Sequence, residues 1–179
     1  MKRTLSLSAL ALATIASVAT SELTDWAAAG LDPMPLQDGQ LEISTDGTAG
    51  EGNLDWVLLT VSLQEPELSE LARLSPQPML ELTIDDQDPE TEALVFTQAI
   101  VEGEPVTVGG DVVELIDCAD YPACTSSLSL TFDVTGEEGE SLRRELEGDM
   151  TVYMMVESTP VAEGAGLIEE ASLNWLSAE

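Results

Sequence analysis

Ser127-Leu128-Ser129-Leu130-Thr131-Phe132-Asp133-Val134 alternates polar and apolar side chains without a break. Successive side chains of a strand point to opposite faces, so Leu128, Leu130, Phe132 and Val134 share one face and Ser127, Ser129, Thr131 and Asp133 the other. A helix would scatter both sets around its circumference. The stretch therefore predicts a strand with one face in a core and one in water, the habit of antiparallel sheets.

The same period recurs on both sides of it. Upstream, Gln40 to Ser44 begins the series, and Val57, Leu59, Val61 and Leu63 alternate with Trp56, Leu58, Thr60 and Ser62. Leu80, Leu82 and Ile84 follow, then Leu94, Phe96 and Ile100. Val106 to Ile116 contains Gly109-Gly110, which predicts a break into two short strands there. Downstream, Met150, Val152, Met154 and Val156 form an inward face, and Leu167, Ala171, Leu173 and Trp175 a terminal strand interrupted at Glu169.

Three segments depart from the pattern. Pro66 to Leu74 places Leu68, Leu71, Ala72 and Leu74 near helical spacing, with Pro66 tolerated in a first turn and Pro76 beyond the end, which predicts a short crossover helix. In Glu140 to Glu147, Leu142 and Leu146 fit i,i+4 spacing, but they also share parity with Met150 to Val156, which favours a strand bent at Gly148. Thr24-Asp25-Trp26-Ala27-Ala28-Ala29-Gly30 is compatible with one capped helical turn in a loose leader. Seven to nine short strands separated by Gly, Pro and Asp turns read as an all-β fold. The expectation is a single antiparallel β-sandwich, Ig-like or jelly-roll-like, over residues 40–179, with a leader at 20–39.

The first nineteen residues read as a signal peptide: Lys2 and Arg3, an apolar run from Leu5 to Val18, and small residues at Ser17-Val18-Ala19. The apolar run is shorter than the roughly 20 residues that span a bilayer. The expected location is therefore outside the cytoplasm, periplasmic or extracellular. Residues 20–179 carry Arg73, Arg143 and Arg144 against 35 acids, a net charge of −32 with neither Lys nor His.

That charge excludes partners. Nucleic-acid binding depends on neutralising phosphates with Lys and Arg, and anionic membrane surfaces repel an acidic protein in the same way. It also destabilises the compact state by self-repulsion, which salt relieves. Three uses of the acidity follow: a surface suited to saline water, divalent-cation binding, and an acidic face aimed at a cationic partner. Disorder is not among them, because 44% of the chain is hydrophobic.

Chemistry is narrowed by what is missing. A Ser-His-Asp triad needs an imidazole, a Ser-Lys dyad needs a lysine, and zinc or copper sites normally use His or thiolate. Gly-rich phosphate loops are absent. Cys118 and Cys124, in an exported chain and separated by a turn-forming Tyr121-Pro122, are expected to pair as a structural disulfide. Five intervening residues and anionic neighbours Asp117 and Asp120 do not suit a redox pair.

Carboxylates remain. Asp86, Asp88 and Glu90 in Asp85-Asp86-Gln87-Asp88-Pro89-Glu90-Thr91-Glu92 stand at alternate positions of a loop that offers oxygen ligands to Ca²⁺. Thr91 and Thr97 replace the Gly and Glu that an EF-hand requires, so the alternative is a solvated hairpin turn. The sequence as a whole reads as a secreted, non-catalytic acidic β-sandwich that binds or builds, with a protein or glycan partner outside the cytoplasm. Its rival is a carboxylate-only hydrolase acting on polysaccharide, which needs two carboxylates in a cleft lined by aromatics.

Overall fold

A computed structural model of the chain describes residues 25–47, 52–75, 77–117, 123–160 and 168–177. The expected signal peptide at 1–19 and the first residues of the leader lie outside them. Ten strands are present among the described residues: β1 (Asp25–Gly30), β2 (Met34–Pro35), β3 (Gly39–Gly47), β4 (Gly52–Leu68), β5 (Met79–Asp85), β6 (Leu94–Ala99), β7 (Val106–Asp111), β8 (Cys124–Thr135), β9 (Leu146–Pro160) and β10 (Ile168–Ser177). The first sheet runs β1-β9-β4-β7, with β2 also paired to β9, and the second runs β10-β3-β8-β5-β6. Every strand pair is antiparallel. The chain changes sheet at each connection except β1 to β2 and β5 to β6. This is the expected all-β sandwich.

The core follows the alternation residue by residue. Leu128, Leu130, Phe132 and Val134 of β8 are buried, as are Val57, Leu59, Val61 and Leu63 of β4 and Met150, Val152, Met154 and Val156 of β9. Leu41, Ile43, Leu80, Leu82 and Ile84 complete the layer from the second sheet. Each fully buried aliphatic side chain contributes roughly 1.5–3 kcal/mol relative to exposure, which is what holds two sheets of so acidic a chain together.

The structure corrects the sequence reading in four places. Residues 25–30 of the supposed leader form β1, paired with β9 from Asp25↔Ser158 to Gly30↔Tyr153, where a helical turn was expected. With β2, this raises the strand count above seven to nine. The crossover helix is reduced to a 3-10 turn at Ala72–Leu74, because β4 continues through a bulge between Gln64 and Glu67 to pair Leu68 with Leu146. A helix there would have needed a continuous apolar stripe, yet Leu71 and Leu74 are 73% and 82% exposed.

Residues 140–147 are neither one helix nor one bent strand. Ser141 bridges to Thr135, a 3-10 turn covers Arg143–Glu145, and β9 starts at Leu146. Leu142 and Leu146 are both buried, one from the turn and one from the strand. Finally, Gly109-Gly110 does not break its strand: β7 runs unbroken through the pair and ends in a 3-10 turn at Val113–Leu115. Gly109 has φ +138°, and a Cβ on it would collide with the Leu59 carbonyl; a Cβ on Gly110 would enter the Phe96 ring. The two glycines thus let β7 lie against β4 while Phe96 of β6 closes the sandwich over it. At Glu169 the expected interruption is a register shift between Ile168 and Glu170.

Candidate functional site

The acidic turn proposed for calcium joins β5 to β6. Asp85 Oδ1 accepts the Gln87 N–H, Asp86 Oδ1 the Asp88 N–H and Asp88 Oδ1 the Glu90 N–H, each at 2.9 Å. The Thr91 N–H donates to the Asp88 carbonyl at 3.0 Å, and Gln87, at φ +67°, reaches back from the turn to Ser129 Oγ at 2.8 Å. These are side chains capping their own backbone, the usual work of Asp in turns. Among the described residues no three His, Cys, Asp or Glu side chains are grouped to hold a metal ion.

A second acidic place lies at the β4 bulge. Gln64, Glu65, Glu67, Glu147 and Asp149 line an open hollow of about 400 Å³, with Pro35 and Gly148. Glu67 faces Glu147 directly across the β4–β9 ladder, and Gln64 faces Asp149. Like charges in such a pair repel. Glu65 takes φ +49° at the bulge.

Arg143 meets Asp38 at 2.9 Å and Arg73 meets Glu102 at 2.6 Å, the two ion pairs among the described residues. Asp38 also accepts the Phe132 N–H at 2.9 Å, so one carboxylate ties the entry to β3 to both β8 and the turn before β9. Cys124 is buried at the start of β8, with Sγ 3.6 Å from the Asp117 carbonyl; Cys118 lies outside the described residues.

The outer face of the first sheet holds what sequence reading missed. The register aligns Trp26 of β1, Glu157 of β9 and Trp56 of β4 in one row. The two indoles meet edge to face above it, with ring centroids 5.6 Å apart and planes at 85°. The next row is Ala28, Met155, Leu58 and Asp111, and the next Gly30, Tyr153, Thr60 and Gly109. Trp26 is 47% exposed and Tyr153 is 45% exposed. The signal lies in Trp56, Leu58, Tyr153 and Met155, apolar residues at solvent-facing parity, but no local pattern joins them to Trp26.

The outer face of the second sheet differs. Ser44, Thr125, Ser127, Ser129, Thr131 and Thr83 project from β3, β8 and β5, giving a hydroxyl-rich surface. Buried polar residues are limited to Thr45 and Ser158 among those described, so every carboxylate described there keeps access to water. No protein-family model, no curated protein and no solved structure matches this chain.

Proposed function

We propose that this chain is an exported, non-catalytic acidic β-sandwich that acts outside the cytoplasm by binding or as a structural module, with a surface suited to saline surroundings and Cys118 joined to Cys124. The observation that carries the reading is the division of labour in the fold: both inner faces are apolar, while 35 acids meet two ion pairs among the described residues. General acid catalysis by a carboxylate needs one held in an apolar, water-poor setting. Among the described residues no Asp or Glu is buried.

The experiment is thermal unfolding of the purified chain in EDTA, then in CaCl₂, MgCl₂ and NaCl matched for ionic strength. Equal rises in the three salts support charge screening. A calcium-selective rise would instead locate the acidity's purpose in a specific ion site, since a ligand held only by the folded state stabilises by about 4 kcal/mol at a thousandfold excess over its Kd. Asp86→Asn and Asp88→Asn would then be the variants that abolish it.

One observation favours the rival hydrolase reading, the carboxylate of Glu157 between two indoles. Its neighbours on the outer face are Trp26, Trp56, Met155 and Thr159, so the row supplies no second carboxylate for the acid/base pair that glycoside hydrolysis uses. Release of reducing ends from polysaccharide, lost in Glu157→Gln, would establish that reading in place of ours.

A further inference from the structure

The row Trp26–Glu157–Trp56 joins three features that a cation recognises. The indole faces carry negative quadrupole charge, and a Lys or Arg head within about 6 Å of such a ring is attracted to it. The planes at 85° form a right-angled corner that turns a face of each ring toward a charged head. Glu157 stands in the row between the two Trp positions, half-buried, and has no ion-pair partner among the described residues.

The surroundings agree with the corner. Beside it the row Ala28–Met155–Leu58 is an apolar floor that ends at Asp111 on β7. Lys and Arg lay their methylene stems along such surface while the head group reaches a carboxylate. The net charge of −30 steers cations toward the whole molecule and repels anions, so a polycation gains at every approach.

We propose that the outer face of the first sheet, centred on Trp26, Trp56 and Glu157, is a docking site for a cationic polypeptide, one Arg or Lys of which sets its charge against an indole face and beside Glu157. The proposal rests on the binding reading above and gives that reading a partner class. Arg is the better occupant, because its planar guanidinium both stacks on an aromatic ring and forks onto a carboxylate.

The test titrates the purified chain with an oligo-arginine peptide, following tryptophan fluorescence and heat at constant ionic strength. Saturable binding is expected. Trp26→Ala and Glu157→Gln should each weaken it about fivefold, the effect of losing one exposed cation–π contact or one charge partner. Glu92→Gln, the same charge change in the exposed hairpin of the second sheet, should weaken it less than about twofold. Thermal midpoints of the variants verify folding, and Glu157→Gln keeps the side chain's shape if Trp26→Ala proves unstable.

Equal weakening by Glu157→Gln and Glu92→Gln would overturn the site, because the peptide would then be sensing only the general field. Absence of binding would overturn it as well. The salt series of the preceding proposal is unaffected by either result, so failure of this site is distinguishable from failure of that reading.

Discussion

Gly109 and Asp38 show how single residues hold the sandwich. At φ +138° Gly109 occupies backbone space that side chains rarely enter, and its Cα faces the Leu59 carbonyl too closely for a methyl group. Gly109→Ala is expected to destabilise by about 2–4 kcal/mol, combining backbone strain with displacement of β7 from β4. A loss of unfolding free energy, measured by denaturant titration, of less than about 0.5 kcal/mol would contradict it. Asp38 accepts from both Phe132 N–H and Arg143. Asp38→Ala leaves a part-buried backbone donor without its partner and should cost about 1–3 kcal/mol, whereas Asp38→Asn keeps an acceptor and should cost clearly less. Equal losses for the two variants, measured by chemical unfolding, would show that the ion pair rather than the backbone bond carries the contribution. Neither residue announces itself in the sequence: Gly109 looks like a strand breaker, and Asp38 is one acid among many.

Elements were legible where the alternation was strong and illegible where pairing alone made the strand. β8 and β9 could be read directly, because their buried positions are Leu, Phe, Val and Met at every second residue. β1 could not, since Ala27-Ala28-Ala29 carries no alternation; it is a strand because β9 offers it a ladder. The end of β4 shows the same competition. Local spacing from Pro66 to Leu74 resembles a helix, but extending the strand buries Leu68 against β9. That extension sets Glu67 opposite Glu147. Glu147→Gln should therefore raise the thermal midpoint by about 1–2 °C at low salt, and the gain should vanish in molar NaCl. A gain independent of salt would mean that the repulsion is not its source.

At the scale of the molecule, charge and core act against each other. The 35 acids weaken the compact state by self-repulsion, and salt screens that repulsion. The midpoint is expected to climb steadily from low salt toward the molar range, with most of the rise reached once the Debye length is about 3 Å. A flat profile would show that the carboxylates are already compensated by groups other than the two ion pairs.

The candidate site divides in the same way. Asp86, Asp88 and Glu90 stand at alternate positions of one loop, and that loop uses Asp86 and Asp88 to cap its own turn. The aromatic row comes from positions 26, 56 and 157, which no local pattern connects.

What the sequence determined by itself was the all-β class, the two inner faces, the charge and the absence of His and Lys chemistry. Those follow from a period of two along the chain and from composition, both of which are local. The tertiary structure alone decided the neighbours of each strand, the conversion of the leader into β1, the service of Asp38 to two partners, and the meeting of Trp26 and Trp56 over Glu157. Alternation tells which side of a sheet a residue takes, but its neighbours across the ladder are set by long-range pairing, and that pairing assembles a surface from three distant segments.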